Sequence, residues 1–192
     1  MKAMKTSIFI IAVSALLISP LTYGQKMDVN VKNSTVEWVG RKIGSSHDGN
    51  IHIKSGSLQL ENGNITAVNI VMDMTTITNN DLKNPGSNAK LVGHLKSDDF
   101  FGVDNYPTAS FKLTRSSGFS NGKARLTGDL TIKGKTESIS FEVVRDGDAY
   151  LATIDIDRSK FDVRYGSDSF FDNLGDRAID DLFTLYVKLV LS

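Results

Sequence analysis

GDLTIKGKTESISFEV, residues 128–143, decides the fold. Leu130 and Ile132 alternate with Asp129 and Thr131, and after Lys133-Gly134-Lys135 the alternation resumes with Ile139, Phe141 and Val143 between Ser138, Ser140 and Glu142. A period of two over both runs places apolar side chains on one face and polar ones on the other, the pattern of antiparallel strands with one wet side. The glycine between them marks a tight turn. One hairpin is therefore written into sixteen residues.

The same pattern extends outward in both directions. Val36 and Trp38 alternate across Glu37; Ile51 and Ile53 across His52; Leu58 and Leu60 across Gln59; and Val68, Ile70, Met72 and Met74 across Asn69 and Asp73. Phe111 and Leu113 flank Lys112, Ile154 and Ile156 flank Asp155, and Phe183, Leu185, Val187, Leu189 and Leu191 run through LFTLYVKLVLS. Glu61-Asn62-Gly63-Asn64, Ser120-Asn121-Gly122-Lys123 and Asp146-Gly147-Asp148 separate the runs, and Asn-Gly or Asp-Gly supplies the positive φ angles of short hairpins. About eight such strands in a single domain without cysteine predict an all-β fold, one antiparallel β-barrel, because closure removes exposed edges.

Residues 79–103 depart from the alternation. Pro85-Gly86 reads as a turn, Ser87 as a cap, and Leu91 and Leu95 share a helical face, which predicts one short helix over 88–96. Ser97 is expected to begin a second, shorter turn with Asp98 and Asp99 at its positive end. Pro107 forces Tyr106 into extended backbone and starts the strand carrying Phe111. Ser97-Asp98-Asp99-Phe100-Phe101 has an echo in Ser167-Asp168-Ser169-Phe170-Phe171. Two loops that each carry paired phenylalanines are expected to flank one mouth of the barrel with their rings turned inward, the serines and aspartates acting as turn caps.

At the N-terminus Lys2 and Lys5 precede an apolar run from Ile8 to Ile18, followed by Pro20, Thr22 and Gly24. That is the layout of a secretory signal over 1–24, with a run too short to span a bilayer and cleavage expected before Gln25. The remaining domain, 25–192, is expected to have no membrane span and to reside in the periplasm. The chain has 22 basic and 22 acidic residues; the leader holds two of the lysines and no acid, so the domain carries a formal charge of −2. Such a surface gives no basic track for a phosphate backbone, and no nucleic-acid partner is expected. The absence of cysteine removes thiol catalysis, iron–sulfur clusters and thiolate zinc sites.

Histidine is scarce as well, with only His47, His52 and His94. No motif for a nucleophile elbow, a metalloprotease helix or a phosphate loop is present, and His47 and His52 with Asp48 do not supply three or four convergent metal ligands. Both histidines are expected to face solvent, and His94 to hydrogen-bond to a neighbouring loop. Asp155 and Asp157 share one strand face about 7 Å apart, a spacing open to carboxylate chemistry. Their face is opposite Ile154 and Ile156, however, and so on the wet outside. No catalytic, metal or cofactor site is expected.

GHLKSDDFFGVDNYPTASF (93–111), GDLTIKGKTESISFEV (128–143) and IDRSKFDVRYGS (156–167) together resemble the YceI-like family, in order and over roughly residues 29–191. The resemblance implies an exported, lipocalin-like barrel that holds a polyisoprenoid or another long amphiphile, such as a quinone or fatty lipid, in an elongated internal pocket. Where many members end the first strand with an aliphatic residue and a histidine, Lys42 stands here. Alternation alone leaves a filled and a hollow interior equally open; the resemblance implies a hollow one. Its wall is expected to include Trp38, Met72, Met74, Phe101, Phe111, Phe141, Phe161 and Phe171, the methionines as flexible apolar filler. The alternatives are a structural or interaction barrel with a packed core, and a hydrolase built on Asp155 and Asp157. A homodimer is compatible with either barrel.

Overall fold

The computed structural model describes residues 24–192; the leader expected over 1–24 lies outside the described residues except for Gly24. Ten strands follow in chain order: β1 (Gln25–Asp28), β2 (Thr35–Lys42), β3 (Ser45–Asn50), β4 (His52–Glu61), β5 (Asn64–Asp73), β6 (Thr108–Ser116), β7 (Lys123–Ile132), β8 (Lys135–Asp146), β9 (Ala149–Asp157) and β10 (Leu182–Val190). One helix, α1 (Pro85–Lys96), lies between β5 and β6. All strands join one antiparallel sheet in the order β1-β4-β5-β6-β7-β8-β9-β10-β2-β3. The fold is the expected lipocalin-like barrel.

The expectation of about eight strands is corrected to ten, for two local reasons. β3 and β4 are one long strand interrupted only at Ile51, whose N–H donates to Val36 O on β2 at 3.1 Å. Its first half pairs with β2 and its second with β5, so this bent strand draws the two ends of the sheet together. β1 is a four-residue addition on β4, too short for its alternation to register.

β7 shows why these residues make strands. Ala124, Leu126, Gly128, Leu130 and Ile132 all face inward and are buried, while the residues between them are not. Gly128 continues the inward phase because a Cβ there would overlap the ring of Phe111 and Lys112 O on β6. Gly49 on β3 is fixed by a similar approach: a Cβ would collide with Thr78 O. That approach lets residues 78–80 run along the outer edge of β3, with Thr78 N donating to Asn50 O at 3.0 Å and Asn80 N to Asp48 O at 2.9 Å. The free edge of β3 is thereby covered.

α1 begins earlier than expected. Asn84, not Ser87, is its cap: Asn84 Oδ1 accepts from Ser87 N at 3.0 Å, and Pro85 occupies the first turn, where its missing N–H costs nothing. Leu95 is buried beneath the helix and Leu91 packs against the core. Ser97 closes α1 by donating its hydroxyl to His94 O at 2.7 Å, so it is the end of this helix as well as the start of the following turn. No helix among the described residues is long and apolar enough to cross a membrane.

Candidate functional site: the barrel lumen

The inward faces enclose a lumen of about 200 Å³. Its wall runs along whole strands, from Phe183 to Leu189 on β10 and from Tyr150 to Ile156 on β9. At the rise of a strand this is about 20 Å. A space that is long but so thin suits an extended chain better than a compact solute. The wall is aliphatic and aromatic; Phe111 and Phe141 meet at 5.3 Å between ring centres, tilted by 56°.

Six of the eight residues expected from the sequence line this space: Trp38, Met72, Met74, Phe101, Phe111 and Phe141. Trp38 is held by its indole N–H, which donates to Thr78 O at 3.1 Å. Phe161 and Phe171 do not line the lumen. Phe161 is buried in the 3-10 turn Arg158–Phe161, which packs beside β8, and Phe171 is 49% exposed on an outer groove with Asp98, Asp99, Lys133 and Arg177.

That groove contains residues from both Phe-Phe loops, so the loops do flank one end of the barrel, the end covered by α1. Only the first pair turns inward. Phe100 is buried and meets Phe101 edge-on at 5.0 Å. In the second loop Ser167 is wholly buried and donates to Asp181 Oδ2 at 2.8 Å while accepting from Ser169 N at 3.2 Å. This turn sends Phe170 under Arg164, 5.0 Å from the ring centre, and Phe171 into the groove.

Arg158 is the residue that sequence reasoning missed. It is 2% exposed, and its guanidinium donates to four carbonyls: Asp180 O at 3.1 Å, Val163 O and Tyr165 O at 2.9 and 2.8 Å, and Ile179 O at 2.9 Å. Its remaining donor faces Asp181 Oδ1 at 3.2 Å, an ion pair without hydrogen-bond alignment. Burial lowers its pKa below the ordinary guanidinium value, opposed by the carboxylates of Asp181, Asp180 and Asp157. Phe100 lies 5.4 Å from the guanidinium carbon. Continuing the inward phase of Ile154 and Ile156 by two residues points to Arg158, a signal present in the sequence. Arg158 and Asp180 are the charged residues of the described lumen wall, and both are committed to the backbone; Asp180 Oδ1 accepts from Leu182 N at 3.0 Å.

The histidines and the other acidic residues singled out from the sequence lie outside the lumen. His47 is not simply solvent-facing: its Nδ1 lies 2.8 Å from Asp81 Oδ2, and Asp81 also accepts from Asp48 N and Asn79 Nδ2. Burial raises the Asp81 pKa, but these hydrogen bonds outweigh it and bring the carboxyl to about 2. His94 makes aromatic contacts where a hydrogen bond was expected, with Tyr165 edge-on at 4.3 Å and Phe100 at 5.8 Å. Asp155 is exposed and accepts from Thr184 Oγ1 at 2.7 Å, and Asp157 caps the 158–161 turn. Among the described residues no three His, Asp or Glu side chains converge as a metal site requires.

A lipocalin-like barrel with a narrow apolar lumen is the class that fold and site define. The profile of the YceI-like domain matches residues 27–191, and the chain belongs to that family. A UPF0312 protein of Vibrio parahaemolyticus is 29% identical over 145 residues, 72% of this chain and 73% of its own. Among solved structures, Burkholderia cenocepacia BcnA superposes with a TM-score of 0.68 at 21% identity, covering 86% of this chain and 100% of BcnA. A Saccharophagus degradans domain described as polyisoprenoid binding superposes with a TM-score of 0.58 at 13% identity, covering 86% and 97%. At these identities the two structures establish the shared fold.

Proposed function

We propose that the protein is an exported, non-catalytic carrier that holds one long-chain isoprenoid, quinone or fatty amphiphile in its barrel, for sequestration or transport. The observation that carries this reading is the lumen itself: about 20 Å of apolar wall whose charged residues, Arg158 and Asp180 among the described residues, are already bonded to the backbone. A thin chain entering it gains about 0.8 kcal/mol per buried methylene, so a tail alone supplies affinity with few polar contacts. The polyisoprenoid-binding description of the Saccharophagus domain supports the same class of ligand. The layout of residues 1–24 supports export, and a periplasmic location follows if the host has two membranes.

Organic extraction of protein purified from its native envelope fraction, followed by mass spectrometry of the extract, tests the reading. One long-chain lipid class, recovered near one molecule per chain and absent from a mock purification, is the expected result. Extracts without lipid from repeated preparations would overturn it. Cell fractionation tests the location, with the mature N-terminus expected at Gln25.

A further inference from the structure

β8 and β9 are neighbours in the sheet, yet they pair only from Val143↔Ala152 to Asp146↔Ala149, beside the turn that joins them. Both strands continue well past this point toward the α1 end. β8 is paired with β7 from Lys135 onward, and β9 with β10 as far as Asp157. The facing edges, residues 137–142 and 153–157, therefore have no ladder between them.

Side chains do not bridge the space either. Ser140 Oγ bonds Thr127 Oγ1 on β7, Asp155 bonds Thr184 on β10, and Asp157 turns to Ser159. Among the described residues no hydrogen bond or ion pair joins the two edges. The gap is bounded at both ends: by the short ladder on one side, and on the other by Lys133, whose ammonium donates to Asp162 O at 3.2 Å. Its length is about 14–17 Å at the strand rise. Directly behind it Ile139, Phe141 and Ile154 line the lumen and are only half-buried.

We propose that this gap is the side entrance through which an apolar chain slides lengthwise into the lumen. The inference rests on the lipid-carrier reading and adds the route to it. Passage through the α1 end would have to displace Phe100 and the Arg158 network, which holds four carbonyls. Passage between β8 and β9 breaks no backbone bond, and the unpaired edge groups there already need water or a transient partner. The gap also spans most of the lumen's length, so an extended chain enters broadside without threading end first.

The absence of cysteine makes a direct test simple. Ser140→Cys with Asp155→Cys, which extended register would set opposite each other, are joined by a short bis-maleimide; Glu142→Cys with Thr153→Cys is a second such pair. Thr127→Cys with Ser140→Cys, joined in the same way across the β7–β8 ladder, is the control. Uptake of cis-parinaric acid is followed by stopped-flow fluorescence on each variant before and after bridging. Bridging the gap is expected to slow uptake about tenfold or more while the control bridge leaves it unchanged. Equal rates with and without the gap bridge would overturn the side entrance and leave the carrier reading standing. Failure of the unaltered protein to take up the probe would overturn both.

Discussion

Arg158 shows how much one buried side chain organises. Its five donors draw the 163–165 turn and the 179–181 segment together under the barrel, so truncation leaves four carbonyls and Asp181 without their partner. Arg158→Ala is expected to lower unfolding free energy in urea by about 3–5 kcal/mol, and Arg158→Lys to recover little, since an ammonium cannot reproduce the planar fork. A loss below about 1 kcal/mol would refute the clamp. Asp81 gives a pH signature of its own. Its carboxyl titrates at about 2 in the fold against 3.8 ordinarily, so its contribution is present above pH 3.8 and is lost as pH falls toward 2. Asp81→Asn should flatten that part of the acid-unfolding profile, by on the order of 1 kcal/mol after solvent screening. Arg158 was legible in the phase of Ile154 and Ile156. The need for glycine at 49 and 128 was not, because it arises from Thr78 and Phe111, which are distant in the chain.

At the scale of elements, strand phase and turn chemistry were readable because period two and Asn-Gly or Lys-Gly steps act locally. The boundaries that escaped depend on tertiary partners. β1 is a strand only because Leu58 and Leu60 lie beside it, and Asn84 displaces Ser87 as cap because its side chain reaches the Ser87 N–H. Asn84→Ala should cost about 1 kcal/mol by thermal or urea unfolding. The two Ser-Asp-x-Phe-Phe loops look alike in sequence, yet Asp181 receives the hydroxyl of Ser167 whereas Ser97 donates to the end of α1, and the second pair of rings turns outward. Phe101→Ala is therefore expected to lower lipid retention more than melting temperature, Phe171→Ala to leave both nearly unchanged, and Leu130→Ala to cost about 2–5 kcal/mol of stability. Retention assays on purified variants alongside their melting curves separate the three outcomes.

Over the whole molecule the barrel follows from alternating strands with no cysteine to staple them, and its closure follows from the bent β3–β4 segment. Whether the interior is hollow could not be read from alternation, because the same Leu, Ile and Phe residues face inward in a packed core and in a lined lumen. The distinction lies in how far opposite walls stand apart, a property of the assembled sheet. The central claim is that this space holds one apolar chain, and mass spectrometry of the intact protein under native conditions tests it most directly. The protein purified from its native source is expected to carry a single lipid adduct per chain, lost in Val187→Trp, where the larger side chain would fill the lumen that Val187 lines, while that variant keeps a cooperative unfolding transition. Unliganded wild-type protein, or an adduct that persists undiminished in Val187→Trp, would contradict the account.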